Sequence, residues 1–138
     1  MPSLEADLQA HLLGDAAIAA QVADQAENEA RLWPEERPAD NRALPALVYH
    51  VIVCVPQNNL EGGAGGDSCL EQARVQLDVY GKSHDQAIGL RELVIARMRL
   101  GASDLSLTAI LNFRSAGVDP ETRERRELLD FSIWHKTA

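Results

Sequence analysis

Four stretches of this chain carry apolar patterns typical of β-strands, and this patterning constrains the fold more than any other feature. Three of them alternate apolar and polar residues, as half-exposed strands do: residues 70–81, 105–113 and 127–135. The fourth, residues 46–55, is a nearly continuous apolar run, which predicts a strand buried on both faces. We therefore expect a β-sheet at the centre of the fold.

The alternation also assigns side chains to the core. Cys54 lies within the continuous apolar run and is expected to be a small buried residue. In the three alternating stretches the inward-facing sets are Ala73, Val75, Leu77 and Val79, then Leu105, Leu107, Ala109, Leu111 and Phe113, and finally Leu129, Phe131 and Ile133.

A helical period separates the second strand from the third. Ser83 and Gln86 have capping-box spacing, and Gly101 is placed to end the helix. One helical face between them carries Ala87, Leu90, Val94 and Met98. These signals predict one long helix.

Two shorter helices are predicted at the start of the chain. Ser3 is a suitable N-cap for the first, which Gly14 ends, and Asp15 caps a second helix that runs through Ala23. Leu4, Leu8 and Leu12 recur at helical spacing on the first helix. The polar connection that follows holds three prolines and has room for a short edge strand near residues 30–33.

The resulting order of elements predicts an α+β fold. It has a mainly antiparallel sheet of four to five strands, with the N-terminal helices and one long helix packed on it. At 138 residues, the chain is expected to form a single domain over residues 1–138.

The glycine-rich stretch at residues 58–69 raises the question of a phosphate site. It lacks the Gly-Lys-Ser/Thr ending of a P-loop and the glycine spacing of a dinucleotide fingerprint. Both sites also need a helix directly after the loop, whereas a strand is predicted here. We interpret the stretch as a long hairpin connection, and expect no cofactor.

The titratable residues form no recognisable catalytic or metal-binding pattern. The four histidines are not paired at metal-ligand spacing, and Cys54 and Cys69 lack metal or redox spacing. His50 is most simply a histidine on a sheet face, although with Tyr49 it makes the one tempting catalytic pair. No catalytic residue, cofactor-binding residue or metal ligand is predicted.

The charge balance argues against sequence-independent binding to nucleic acid. The formal net charge is −8, from 21 acidic and 13 basic residues, and an acidic surface repels a phosphate backbone. No signal peptide or long apolar span is visible, so we expect a protein assembled in the cytoplasm, without a membrane partner.

The order and spacing of four segments resemble a known family. They are "SLEADLQAHLLGDAAIAAQV", "RLWPEERP" leading to "ALPALVYHVI", "ARVQLDVYGKSHDQAIGLRELV" and "ELLDFSIWHK". In this order they are similar to the tail completion proteins of tailed bacteriophages, also called tail terminators or tail-to-head joining proteins, which occur in prophages and gene transfer agents as well. The resemblance extends from Ser3 to Lys136.

The resemblance implies a structural protein of the virion, without catalysis. It implies a ring, commonly a hexamer, that sits on the head-proximal end of the tail tube in the neck. The ring ends tube polymerisation and presents a surface to the head connector or stopper protein, while DNA passes through its lumen without specific binding.

Three charged or glycine-rich segments are the candidate contacts with partners or neighbouring subunits. The first two, the glycine-rich stretch and an acidic insert near residues 35–41, depart from the family pattern where partners would be faced, and the third is the chain's only basic cluster. The candidate residues are Glu61, Gly62, Gly63, Gly65, Gly66 and Asp67, then Glu35 and Glu36, and then Arg123, Arg125 and Arg126.

Two other readings of the sequence stay open. One is a small-ligand-binding or enzymatic α+β domain, which would need polar groups converging in a pocket. The other is a monomeric regulatory module.

Overall fold

The computed structural model describes residues 4–24, 29–37, 43–57, 69–100, 107–120 and 122–137. Three helices are described: α1 (Leu4–Leu13), α2 (Ala16–Val22) and α3 (His84–Leu100). The strands are β1 (Ala23–Asp24), β2 (Glu29–Ala30), β3 (Leu32–Pro34), β4 (Ala46–Gln57), β5 (Cys69–Gly81), β6 (Leu107–Val118) and β7 (Arg125–Thr137).

The main sheet has five strands in the order β3-β4-β5-β7-β6. Its pairs are antiparallel except for β3, which runs parallel to β4. This arrangement confirms the expected α+β class and the expected edge strand, which is β3. The pairing of β1 with β2 in a separate two-stranded sheet was not expected from the sequence.

Two of the three helices, α2 and α3, have their N-cap residues within the described part of the chain, and both begin at the expected caps. The Asp15 carboxylate accepts hydrogen bonds from the backbone N–H groups of Ala17 and Ile18. Ser83 Oγ accepts from the Gln86 backbone, and Gln86 Oε1 accepts from the Lys82 backbone. The second helix ends at Val22, one residue before the expected end, because Ala23 pairs in β1.

Among the described residues, the helices and one face of the sheet enclose one apolar cluster. The helical stripe of α3 is fully buried, and so are the expected inward residues of β5 and β7. The cluster also takes in the stripe of α1, which the i, i+4 spacing predicts: Leu4, Leu8 and Leu12. The expected N-cap Ser3, the helix stop Gly101 and Leu105 lie outside the described residues.

The expectation that residues 46–55 are buried on both faces is wrong for the second half of the strand. Ala46, Leu47, Val48 and Tyr49 are buried, but Ile52, Val53 and Val55 are about half exposed. Cys54, expected in the core, is also exposed. Among the described strands, β3 flanks β4 from Leu47 to Tyr49 alone, so the exposed second half of β4 extends past its described neighbour on that side.

The side chains of β6 that face the core also do not follow one regular alternation along the whole strand. A β-bulge between Leu111 and Phe113 shifts the register, so Leu111 pairs with Phe131 while Phe113 pairs with Asp130. Phe113 therefore lies on the face away from the helices and is 48% exposed, whereas the sequence pattern placed it in the core. A single inserted residue reverses the orientation of every side chain that follows.

Candidate interaction surface

The face of the sheet opposite the helices, here called the open face, carries a chain of charged side chains at the end nearest β3. His50 Nδ1 lies 3.3 Å from Glu35 Oε2, and His50 Nε2 lies 3.4 Å from Asp78 Oδ2. Arg126 Nη2 donates to the same Asp78 oxygen at 2.8 Å. Two candidate contact residues, Glu35 and Arg126, are thereby linked through His50 and Asp78.

Asp78 is only 1% exposed, although its strand pattern placed it on the solvent side. Its other carboxylate oxygen accepts a hydrogen bond from Gln76 Nε2 at 3.1 Å. A buried carboxylate of this kind is tolerated because each oxygen is compensated. The sequence gives no local signal for such a residue, because its cationic partner lies 48 positions away.

Arg37 connects the segment after β3 with the turn between β6 and β7. Its Nη2 atom lies 2.5 Å from Glu124 Oε2, and its guanidinium carbon is 4.4 Å from the centre of the Tyr80 ring. Arg37 is itself buried. A buried ion pair combined with a cation–π contact fixes this segment across the sheet.

A second polar group occupies the middle of the open face. Arg74 Nε donates to both oxygens of the Asp130 carboxylate, at 3.0 and 3.2 Å. Asn112, the residue of the β-bulge, donates to Asp130 at 2.9 Å and contacts Ser132 Oγ at 2.9 Å. The bulge that exposes Phe113 thus also supplies a hydrogen-bond donor to a buried carboxylate.

The basic cluster expected as one contact patch is divided by the strand. Arg123 is exposed in the turn with a φ of 63°, in the left-handed region. Arg126 lies on the open face, whereas Arg125 lies on the helix-covered side, 3.7 Å from Glu127 Oε1. Consecutive residues of a strand face opposite sides, so Arg125 and Arg126 do not form one surface.

The acidic candidate residues lie at the edge of the sheet formed by β3. Glu35 and Glu36 are exposed directly after β3, and Glu35 has a φ of 67°. The Glu35 backbone N–H donates to the Tyr49 carbonyl and extends the parallel pairing by one residue. The glycine-rich candidates, Glu61, Gly62, Gly63, Gly65, Gly66 and Asp67, lie outside the described residues.

Tyr80 stands at the edge of a small cleft. Burial, followed by the nearby Asp78 carboxylate, raises the pKa of the Tyr80 phenol above its usual 10.0. The cleft measures about 230 Å³ and is lined by Tyr80, Gly117, Val118, Asp119, Glu124 and Arg126. This is smaller than the roughly 300–1,000 Å³ typical of small-molecule sites, so the cleft itself is weak support for a ligand-binding reading.

His135 forms a separate buried group on the helix-covered side. It is fully buried, its Nε2 lies 2.6 Å from Asp7 Oδ2 of α1, and its Nδ1 lies 3.7 Å from Glu71 Oε2. The pairing joins the first helix to the last strand. His135 continues the inward alternation of Leu129, Phe131 and Ile133, and this spacing could have assigned it to the interior.

Tyr49 and His50, the pair that the sequence offered as a candidate for catalysis, do not point to the same place. Tyr49 belongs to the helix-covered core, where its hydroxyl accepts a hydrogen bond from Gln9 Nε2 at 2.6 Å. His50 points to the open face and contacts Glu35 and Asp78.

Among the described residues no group of three or more His, Cys, Asp or Glu side chains could hold a metal ion. Within the same residues, every helix is too short or too polar to cross a membrane.

Comparison with known proteins identifies a family and shows solved structures with a similar fold. The family model described as "Tail completion protein gp17" matches residues 6–136. A chain from a solved structure described as "Virion of native gene transfer agent (GTA) particle" superposes with a TM-score of 0.71, covering 98% of this chain and 96% of that chain. Its sequence identity is 15%, so this likeness shows the fold alone. No curated protein sequence matches this chain.

The family match spans nearly the whole chain and includes every helix and strand of the α+β fold described above, apart from the ends of α1 and β7. The segments on which the sequence resemblance rests fall inside the matched range, except for the first few residues. The chain belongs to the tail completion protein gp17 family.

Proposed function

We propose that this protein closes the head-proximal end of a phage tail tube as a ring and joins the tail to the head. Membership of the family establishes the coarser part: the chain is a structural protein of a bacteriophage tail, and its place is the virion. The family match over residues 6–136 is the observation that carries the proposal.

The ring, which we propose to be a hexamer, follows from what a terminator must do. A closed ring of identical subunits uses one repeated head-to-tail interface and leaves no free end for further addition. The chain that shares this fold comes from a gene transfer agent virion, and we propose a virion setting of the same kind for this protein.

The proposed partners are the last tail tube ring on one side and a head connector or stopper protein on the other. We propose that DNA passes through the lumen without specific binding, because a net charge of −8 does not hold a phosphate backbone. The role requires no catalysis and no cofactor.

The candidate contacts are assigned to these partners as part of the proposal. The glycine-rich connection joins β4 and β5, and Gln57 and Leu70, near its two ends, are paired neighbours in the sheet. Glu35, Glu36 and Arg123 stand at the two sides of the same sheet.

We also propose that residues 1–138 form one domain, which a single calorimetric unfolding transition would support and two separated transitions would contradict.

Removal of the protein from a producing strain tests the function. We expect tails of excessive and variable length, together with DNA-filled heads that lack tails, and complementation in trans should restore normal particles. Normal tail lengths with fully joined heads in the absence of the protein would contradict the proposal.

A further inference from the structure

The exposed apolar side chains are concentrated on two strands. Six of the seven large apolar residues that are exposed among the described residues lie on β4 or β6. They are Ile52, Val53 and Val55 on the first strand, and Ile110, Phe113 and Val118 on the second. Exposed apolar residues gathered in this way mark surfaces that associate with another protein.

Both strands lie at the outside of the sheet over the lengths concerned. β6 is the last strand of the five, and β7 is its one partner among the described strands. β4 is flanked by β3 only from Leu47 to Tyr49, so Ile52 and Val53 lie where no described strand covers it. Uncovered edges of this kind offer backbone donors and acceptors to another strand.

The directions of the two edges suit each other. β4 is antiparallel to β5, β5 to β7, and β7 to β6, so β6 runs opposite to β4. A rotation about an axis roughly parallel to the strands keeps those directions. When one subunit follows another around such an axis, β6 of the first meets β4 of the second in antiparallel orientation, the more stable pairing.

The apolar residues of the two edges also lie at the same height. Val53 pairs with Arg74, Arg74 pairs with Ser132, and Ser132 pairs with Ile110. Residues paired directly across strands share one face, so Val53 and Ile110 both project from the open face at opposite sides of the sheet. Their exposed fractions are 48% and 55%.

We infer that the copies of this chain in the ring meet edge to edge, with β6 of one subunit beside the β4 segment around Val53 of the next. The inference rests on the proposed ring and names its interface. The five-stranded sheets then continue around the lumen, and each subunit covers the apolar edge of its neighbour. No subunit keeps a free edge, and this prevents uncontrolled strand addition.

Charged substitutions on each edge test this interface. Ile110→Lys and Val53→Asp each place a charge at the shared edge, while Leu100→Lys changes an exposed apolar residue that lies on α3, away from both edges. Native mass spectrometry and light scattering should show rings for wild type and for Leu100→Lys. Each edge variant should need at least about tenfold more protein to assemble. Circular dichroism melting should be unchanged in all three, since each replaced side chain is exposed.

Mixing the Ile110→Lys and Val53→Asp proteins is the decisive experiment for this interface. The Ile110→Lys subunit keeps an intact β4 edge and the Val53→Asp subunit keeps an intact β6 edge, so the mixture should form heterodimers or larger species that neither variant forms alone. Rings that persist in both single variants overturn the edge interface and leave the proposed function standing. Wild-type protein that stays monomeric at every concentration, and with purified tails present, overturns both.

Discussion

At the scale of single residues, the backbone of Gly81, at the end of β5, closely approaches the backbone of Ala87 in α3. A Cβ built on Gly81 would lie 2.8 Å from the Ala87 backbone nitrogen, closer than real Cβ atoms come. We predict that Gly81→Ala lowers the free energy of unfolding by about 1–3 kcal/mol, the usual cost of overpacking. Urea denaturation of the two proteins measures this difference.

Gly89→Ala is the matched control for that substitution. Gly89 lies in the middle of α3, and a Cβ there would meet nothing within 4 Å. Alanine is the better helix former, so this variant should be more stable than wild type by about 0.5–1 kcal/mol. Equal effects of the two substitutions would show that the close approach at Gly81 is not a constraint.

Tyr80 gives the protein a stability loss at high pH. Burial, with the Asp78 carboxylate, raises the pKa of the phenol above 10.0 in the folded protein. The protonated phenol's contribution to the free energy of unfolding is fully present below pH 10. It is lost as the pH rises through the pKa of the folded protein, because the phenol of the unfolded chain releases its proton at a lower pH. The free energy of unfolding, measured with denaturant between pH 8 and 11, should therefore fall more steeply with pH for wild type than for Tyr80→Phe. Parallel curves for the two proteins would contradict this.

At the scale of elements, β7 contributes Leu129, Phe131 and Ile133 to the core. Phe131 is 1% exposed and stands between Val75 of β5 and Leu111 of β6 in the register. We predict that Phe131→Ala lowers the free energy of unfolding by roughly 3–5 kcal/mol. Val118→Ala, at a half-exposed position of β6, should change it by less than about 0.5 kcal/mol.

A melting temperature of Phe131→Ala equal to that of wild type would be inconsistent with the register of β7. It would mean that the strand is shifted by one residue and that the outward set, including Trp134, forms the core instead.

The patterns that repeat along an element could be predicted from the sequence, whereas single departures from them could not. The alternation of Leu129, Phe131 and Ile133 and the helical stripe of α3 each repeat a signal several times. The bulge at Asn112 is one extra residue, and the hydrogen bond that Asn112 donates to Asp130 joins residues 18 positions apart in the sequence. Cys54 was misplaced because the run of apolar residues does not show where β3 ends.

The connection between β4 and β5 can be altered separately from the sheet. The two strands pair from Ala46 with Tyr80 to Gln57 with Leu70, so its ends are already neighbours, and a shorter turn could join them. We predict that replacing residues 61–66 by a tight turn leaves the melting temperature nearly unchanged but impairs tail capping or head joining.

An assembly assay with the shortened variant, beside wild-type protein, measures that effect. Collapse of the fold would show that the segment is structural, and normal assembly would show that it only spaces the strands. Nucleotide binding that is lost on shortening would contradict the absence of a phosphate site.

At the scale of the whole molecule, the candidate surface is set by contacts between distant parts of the chain. The sequence indicated Glu35 and Arg126 as candidate contact residues, but their connection through His50 and Asp78 depends on strands that pair only in the fold. Arg37 was missed because its partners, Glu124 and Tyr80, lie far along the sequence. The family resemblance, in contrast, depends on the order of segments and was visible from the sequence.

The position and stoichiometry of the protein on purified tails test the central claim most directly. Cryo-electron microscopy of tails assembled without heads should show one closed ring of this protein, at one end of each tube, with six copies per ring. Density spread along the tube, density at both ends, or a single unclosed copy at the tip would contradict the account.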